Sequence, residues 1–204
     1  MLAYLILGVS YAFAAAVQPG PLQAYTVSHA LSHGWRRTLP AAFSPLLSDG
    51  PVIVLVLLVL TRLPAWLLPA LRAAGGLLLL VLAFLAARTW RRQSAEEATP
   101  SPPAARSLLA ATTVNLLNPG PYLGWSLIMG PLLLKAWHEA PARGVALLAG
   151  FYGTMVATMA AIIVLAGTAR GFGPRVSRTL IGASAVALAA LGVYQLVSAA
   201  AALH

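Results

Sequence analysis

The chain has 204 residues, of which 60% are hydrophobic and only 8% are charged. Soluble domains keep charged residues near a quarter of their length, so this composition excludes an ordinary water-soluble domain and indicates an integral membrane protein. The formal net charge of +9 does not indicate nucleic-acid binding, because the basic residues lie in short gaps between hydrophobic runs, as in cytoplasmic loops of membrane proteins.

The N-terminal apolar run from Leu2 to Ala14 precedes the small residues Ala15 and Ala16, as in a secretory signal peptide. No positive charge precedes the run, so we interpret it as the first membrane helix. Charges and turn residues divide the whole chain into six apolar stretches, each long enough to cross a hydrocarbon core of about 30 Å. They are 1–31, 38–61, 65–88, 107–134, 144–169 and 178–199.

A polar segment at about 91–106 separates the first three stretches from the last three and predicts a linker within a single transmembrane domain of 204 residues. Both groups carry the same signature, Pro19-Gly20-Pro21 in the first stretch and Pro119-Gly120-Pro121 in the fourth, 100 residues apart. Because each group has three spans, the second copy enters the membrane from the opposite side. We therefore predict an all-α, polytopic membrane protein with six transmembrane helices, arranged as two inverted three-helix repeats at about 1–90 and 107–204.

The loops of this arrangement divide the Lys and Arg residues unevenly between the two sides of the membrane. The majority side is predicted to be cytoplasmic, which places both termini on the periplasmic side of a bacterial inner membrane. That side carries Arg36, Arg37, Arg88, Arg91, Arg92, Arg106, Arg170, Arg175 and Arg178, and the other carries Arg62, Arg72, Lys135 and Arg143.

Both Pro-Gly-Pro motifs are predicted to break the membrane helices that contain them. A proline lacks the N–H that would bond to the carbonyl four residues earlier, and membranes tolerate such a break inside protein or beside a water-filled cavity. A packing kink would explain one motif, but two in register favour a cavity that binds a solute. A broken helix offers a positive N-terminus to an anion and exposed carbonyls to a cation, so a zwitterion suits both ends.

Asp49, next to Ser48, lies near the middle of the second stretch, whereas the other acids, Glu96, Glu97 and Glu139, lie in loops. A charge at this depth costs roughly 2.5–3.5 kcal/mol on insertion scales, so we expect Asp49 to face a cavity or to be protonated. We interpret it as a proton-coupling or ammonium-binding residue. A structural partnership with Ser48, Asn118 or a basic residue is the alternative.

Polar and aromatic side chains beside the breaks complete the candidate site. The amides of Gln18, Asn115 and Asn118 either contact substrate or satisfy the backbone groups that the prolines free. Tyr25 and Trp125 are related by the same offset of 100 residues. Trp125 offers a π-face to an ammonium group, or it packs as an ordinary aromatic residue.

Other chemistries find little support in the sequence. The histidines do not cluster with acids at metal-ligand spacing, cysteine is absent, and there is no GxxxxGK[ST] phosphate loop. We therefore predict that the protein is not an enzyme and that it needs no metal, no cofactor and no intrinsic ATP drive.

The first Pro-Gly-Pro, the Ser48-Asp49 pair and Asn118-Pro119 together resemble the lysine exporter (LysE) superfamily of bacterial amino-acid exporters, and the resemblance covers nearly the whole chain. It implies a six-helix, 3+3 fold and efflux of an amino acid or related zwitterion, driven by the proton gradient. Many members have a lysine directly after Asn-Pro, where this chain has Gly120, so no role of that lysine carries over. The Ser-Asp pair is more similar to the basic-amino-acid branch than to the threonine/homoserine branch.

We therefore predict a proton-coupled secondary transporter that exports amino acids by alternating access. One alternative is an exporter of another solute, such as a cation or a lipid-linked molecule. The other is a non-transporting membrane scaffold or accessory subunit, in which the Pro-Gly-Pro motifs would be packing devices. A lipid-facing surface looks the same in a monomer and a homodimer, so the sequence leaves both states open.

Overall fold

The computed structural model describes residues 1–58, 66–92, 104–169 and 173–202. This part of the chain is almost entirely helical and contains no strand. Most of the predicted linker at about 91–106 lies outside the described residues, and so do Glu96, Glu97, Arg62 and Arg170.

Ten α-helices, a 3₁₀ segment and a π-helical turn follow one another in the described ranges. They are α1 (Leu2–Val17), α2 (Pro21–His33), α3 (Trp35–Thr38), the 3₁₀ segment (Leu39–Phe43), α4 (Ser44–Leu58), α5 (Leu67–Arg92), α6 (Ala104–Leu116), α7 (Pro119–Gly124), the π-helical turn (Trp125–Met129), α8 (Gly130–Glu139), α9 (Pro141–Thr168) and α10 (Pro174–Ala201). Asp49 lies in α4, and each Pro-Gly-Pro motif lies where one helix ends and the next begins.

Several helical segments of the described chain are long and apolar enough to cross a membrane. Four are continuous: Trp35–Val56, Pro69–Arg91, Pro141–Thr168 and Arg178–Ala201. A fifth is formed by α1 and α2 if this pair, bent by 63° at the first Pro-Gly-Pro, counts as one span. These five correspond to the first, second, third, fifth and sixth apolar stretches of the sequence.

The predicted fourth stretch, at 107–134, is divided among α6, α7, the π-helical turn and α8. α6 has 13 residues. At 1.5 Å per residue it reaches about 20 Å, which is short of a hydrocarbon core of about 30 Å. The interruption falls at Leu117 and Asn118 because Pro119 and Pro121 lack the N–H groups that would continue α6. The described chain thus has four or five candidate spans where six were expected, and the six-helix inverted repeat stays a prediction.

Glycines allow two pairs of long helices to pack closely. α1 crosses α9 at Gly8 and Gly150, where a Cβ added to Gly150 would lie 2.5 Å from the carbonyl oxygen of Leu5. α5 meets α10 at Gly76 and Gly192, where a Cβ on Gly76 would lie 2.9 Å from the Gly192 carbonyl oxygen. Small residues at such crossings are typical of membrane helices, which gain van der Waals contact by close backbone approach. Because α1 and α9 come from different predicted repeats, their crossing joins the two groups of helices.

Candidate functional site

The two Pro-Gly-Pro motifs line a common cavity of about 240 Å³, here called the first cavity. α4 and α9 supply the rest of its wall. The lining residues are Tyr11, Ala15, Gln18, Pro19, Gly20, Pro21, Leu22, Gln23, Pro45, Asp49, Asn115, Asn118, Gly120, Pro121, Gly124, Trp125, Phe151 and Met155. Most of the residues that the sequence singled out therefore surround one space, although they come from segments about 100 residues apart.

Asp49 is the acid of this cavity, and its side chain is only 2% exposed. One carboxylate oxygen, Oδ2, accepts a hydrogen bond from Nε1 of Trp125 at 3.2 Å. The other, Oδ1, accepts from Nδ2 of Asn115 at 3.4 Å. Within the described ranges no Lys, Arg or His forms an ion pair with Asp49. A buried carboxylate held only by neutral donors is costly to charge, so a bound cation or a proton stabilises it.

Ser48 lies behind the carboxyl group and does not line the cavity. Its hydroxyl accepts a 2.7 Å hydrogen bond from Asn115 Nδ2 and donates at 3.0 Å to the carbonyl of Ser44, one turn earlier in α4. The single hydroxyl proton is thus directed to the backbone, and the 3.5 Å contact with Asp49 Oδ1 is the longer alternative. Ser48 therefore orients Asn115, and Asn115 links α6 to the acid in α4.

At the first break, α1 ends at Val17 and α2 begins at Pro21. The Nε2 atom of Gln23 donates to the carbonyls of Ala15, at 3.3 Å, and Ala16, at 3.1 Å. The amide that satisfies freed backbone here is therefore Gln23, which the sequence analysis did not single out. Gln18 is exposed and lines the cavity.

At the second break, Asn118 is the N-cap of α7, because its Oδ1 accepts from the amide of Gly120 at 3.1 Å. The hydroxyl of Tyr122 donates to the carbonyl of Leu116 at 3.0 Å. Asn118 therefore satisfies a backbone group and also lines the first cavity, so contact with substrate stays a prediction. α7 then passes into the π-helical turn that begins at Trp125, a conformation that often marks functional positions.

Aromatic residues close the cavity on the α9 side. The Trp125 ring lies edge-on to Phe151, with centroids 5.5 Å apart, and Tyr11 of α1 stacks on the same Phe151 at 6.2 Å. Tyr152 interacts with the carboxyl group of Asp49 through its side chain. Tyr11, Phe151 and Tyr152 are not among the predicted site residues, since aromatic residues on a buried helix face are indistinguishable from ordinary core residues in one sequence.

Three of the predicted site residues do not line the first cavity: Ser48, described above, Tyr25 and Pro119. Tyr25 lines a different cavity, and its hydroxyl is 3.5 Å from the carbonyl of Ser107. Pro119 begins α7 and is not part of the cavity wall. The sequence offset that relates Tyr25 to Trp125 therefore does not bring the two rings to one site.

A protein-family model described as LysE type translocator matches residues 13–199. This range contains both Pro-Gly-Pro motifs, Asp49 and the aromatic residues of α9. No curated protein and no solved structure matches the chain.

Proposed function

Because the chain belongs to the LysE type translocator family, whose members are membrane transporters of amino acids or related solutes, we propose that it exports a small amino acid from the cell through the first cavity. The observation that carries the proposal is the buried Asp49, held by neutral hydrogen-bond donors in a cavity between two helix breaks. The Asp49 carboxylate gives this site one negative charge, and the ammonium group of the solute neutralises it.

The ammonium group of the amino acid binds at Asp49. Burial leaves this carboxylate with a large desolvation cost that a close cation offsets, and the Trp125 ring beside it adds a π-face. Asn115 and Ser48 hold the carboxyl group in place while the ammonium binds.

The carboxylate of the amino acid binds at the start of α2. The N-cap of α2 is Gly20, which has no side chain to accept from the first helical amides, and Gly20, Leu22 and Gln23 all line the cavity. A helix N-terminus with unoccupied amides attracts an anion. The start of α7 is less available, because Asn118 already occupies it.

Transport couples to protons when a proton replaces the ammonium on Asp49 after the amino acid leaves. Exchange of one positive charge for another keeps the buried site neutral in both steps. The two groups of three helices, as inverted repeats in an inner membrane with both termini outside, rock about the cavity and expose it to each side in turn. This arrangement is supported by the paired motifs and by the crossing of α1 with α9.

The test is counterflow of radiolabelled amino acids into liposomes that contain the purified protein, with and without an imposed proton gradient. We expect saturable, gradient-sensitive flux that Asp49→Asn abolishes. Glu139→Gln is the matched control, because Glu139 is exposed at the end of α8 and pairs with Arg143, away from the cavity. Flux by Asp49→Asn equal to that of the unchanged protein would contradict the proposal.

A decarboxylated analogue of the transported amino acid separates the two ends of the site. We expect the amine to compete through Asp49 but with lower affinity, because it leaves the α2 amides unoccupied. Equal affinity for the amine and the amino acid would favour an exporter of cations and would contradict binding of the solute carboxylate at the start of α2.

A further inference from the structure

A second cavity, of about 380 Å³, lies between α2, α5, α6 and α10 and shares no lining residue with the first. Its polar lining differs in kind, since it contains basic and hydroxyl side chains and no acid. These include Arg88, Arg106, His29, His33, Ser28 and Ser32. The second cavity therefore offers positive charge and hydrogen-bond donors where the first offers a carboxylate.

Arg88 and Arg106 come from different helices, α5 and α6, and both are exposed while lining this cavity. Within the described part of the chain neither forms an ion pair. The Arg88 guanidinium lies over the ring of Phe84, 5.7 Å from its centroid. Two guanidinium groups at one cavity repel each other, and an anion between them relieves that repulsion.

His29 adds a defined hydrogen-bonding group. Its Nδ1 is 2.8 Å from the Thr38 hydroxyl, which in turn donates to the carbonyl of Gly34 at 3.0 Å. Because Thr38 has one hydroxyl proton, Nδ1 of His29 must be the donor, and Nε2 of a neutral ring is an acceptor. The His33 ring lies 4.4 Å from His29, centroid to centroid. A ligand that carries both oxyanion acceptors and one O–H suits this set.

We propose that the second cavity binds a phosphate group between Arg88 and Arg106. Guanidinium groups match phosphate oxygens with paired hydrogen bonds, and hydroxyls such as that of Ser28 supply further donors. A carboxylate has only two oxygens, which two arginines alone would saturate. A hydrogen phosphate has more acceptors and an O–H for a histidine nitrogen.

The phosphate can come from water or from an anionic phospholipid. Leu82, Leu85 and Leu188 give the cavity an apolar wall, and Arg88 and Arg106 belong to the side of the membrane predicted to be cytoplasmic. Basic pockets between membrane helices on that side are suited to lipid headgroups. Both sources present anionic phosphate oxygens to the arginines. Inorganic hydrogen phosphate supplies its own O–H to the histidine nitrogen, whereas phosphatidylglycerol is a diester and supplies an O–H from its headgroup glycerol.

The experiment uses the purified full chain and two probes. Equilibrium dialysis with radiolabelled inorganic phosphate measures binding from water. Mass spectrometry of lipid retained after purification from a mixture of phosphatidylglycerol and phosphatidylcholine measures headgroup binding. The variant is Arg88→Gln with Arg106→Gln, and each single change is tested as well in case the pair fails to fold. Arg91→Gln is the matched control, because Arg91 is exposed on α5 but does not line the cavity.

We expect one probe to bind at least about tenfold more weakly to the double Gln variant, while Arg91→Gln binds normally. The paired change to Lys keeps the charge but not the paired hydrogen bonds, so its binding should be intermediate. Loss of phosphate binding assigns a water-soluble ligand, and loss of retained phosphatidylglycerol alone assigns a lipid. Binding of neither probe, or equal binding by the double variant and Arg91→Gln, would overturn the proposal. Since neither arginine lines the first cavity, amino-acid counterflow tests export separately.

Discussion

The first and second helix breaks carry the same Pro-Gly-Pro motif, but their helices restart at different prolines. α2 begins at Pro21, the second proline of its motif, with Gly20 as N-cap. α7 begins at Pro119, the first proline of its motif, with Asn118 as N-cap. Either proline fits the first helical position, because an N–H at that position would have no partner within the helix. A shift of two residues therefore leaves one helix start without a side-chain cap and gives the other an asparagine.

Because only one helix start is capped, the two ends of the first cavity have different chemistry. The uncapped start belongs to α2, in the first group of helices, whereas the donors to Asp49, Asn115 and Trp125, flank the second break. A zwitterion that reaches from Asp49 to the start of α2 binds two helices of the first group and meets the second group at the Trp125 ring beside Asp49. Movement of one group against the other would then change its binding, which is what alternating access needs.

The largest effect is expected where the two groups of helices are joined. Gly150→Val places atoms against the carbonyl of Leu5 in the crossing of α1 with α9, and overpacking of this kind costs about 3 kcal/mol. We expect a lower midpoint of thermal unfolding and a smaller monodisperse fraction in detergent. Gly153→Val, in the same helix, has no atom within 4 Å of the added Cβ and should leave both unchanged. Equal losses in the two variants would contradict the close crossing.

The next effect is expected at the second break. Trp125→Phe removes the 3.2 Å hydrogen bond to Asp49 but keeps a ring against Phe151. A hydrogen bond to a charged group contributes about 2 kcal/mol, so we expect roughly thirtyfold lower kcat/KM in counterflow. Phe151→Leu, which perturbs the same ring contact without removing a donor, should lower kcat/KM much less. A loss in Phe151→Leu as large as that in Trp125→Phe would assign the effect to packing.

A smaller effect is expected at the first break. Gly20→Ser gives α2 a side-chain cap, which suits the extended backbone at this residue (φ −162°). The added Cβ lies 3.2 Å from Gln23 Oε1, so that flexible side chain shifts slightly. The hydroxyl competes with the solute carboxylate for the first amides, so we expect KM to rise about fivefold, as for a cap of about 1 kcal/mol. KM for the decarboxylated analogue should stay constant. Gly120→Ser adds the same group inside the already capped start of α7, and an equal KM change there would contradict the distinction.

The smallest effect concerns stability alone. Asn118→Ala removes the N-cap of α7 and should lower the free energy of unfolding by about 1 kcal/mol. Gln18→Ala, at the repeat-related position, removes an exposed side chain and should change it by less than about 0.5 kcal/mol. Thermal unfolding of both variants measures the difference, and a larger loss for Gln18→Ala would show that the first break depends on that amide.

Much of the first cavity could be predicted from the sequence, because its main residues violate the rules of a membrane helix. Pro19 and Pro121 remove backbone donors, and Asp49 puts a charge among apolar residues, so each is visible without a structure. Gln23 was missed because several amides lie near the breaks and only geometry shows which one reaches a carbonyl. Tyr152 was missed because a helix that is apolar on all sides does not reveal which aromatic residue faces an acid.

The number of spans was harder to predict. The stretch 107–134 has the composition of one transmembrane span, but its hydropathy does not show where a helix within it ends. The bend at the first break and the division at the second depend on which proline starts each new helix. That choice follows from the neighbouring side chains, such as Asn118, more than from the motif itself.

The sequence distances between hydrogen-bond partners set an order of events during synthesis. The carbonyls of the first break are satisfied by Gln23, only 7 and 8 residues away, so this break can complete itself as soon as it leaves the ribosome. Asp49 must wait for Asn115, 66 residues later, and for Trp125, 76 residues later. At roughly 5–20 residues per second, the 66 residues up to Asn115 take about 3–13 s and the 76 residues up to Trp125 take about 4–15 s. Until Asn115 has been synthesised, the acid of α4 has neither partner. An insertase or chaperone would therefore matter most before α6 and α7 enter the membrane.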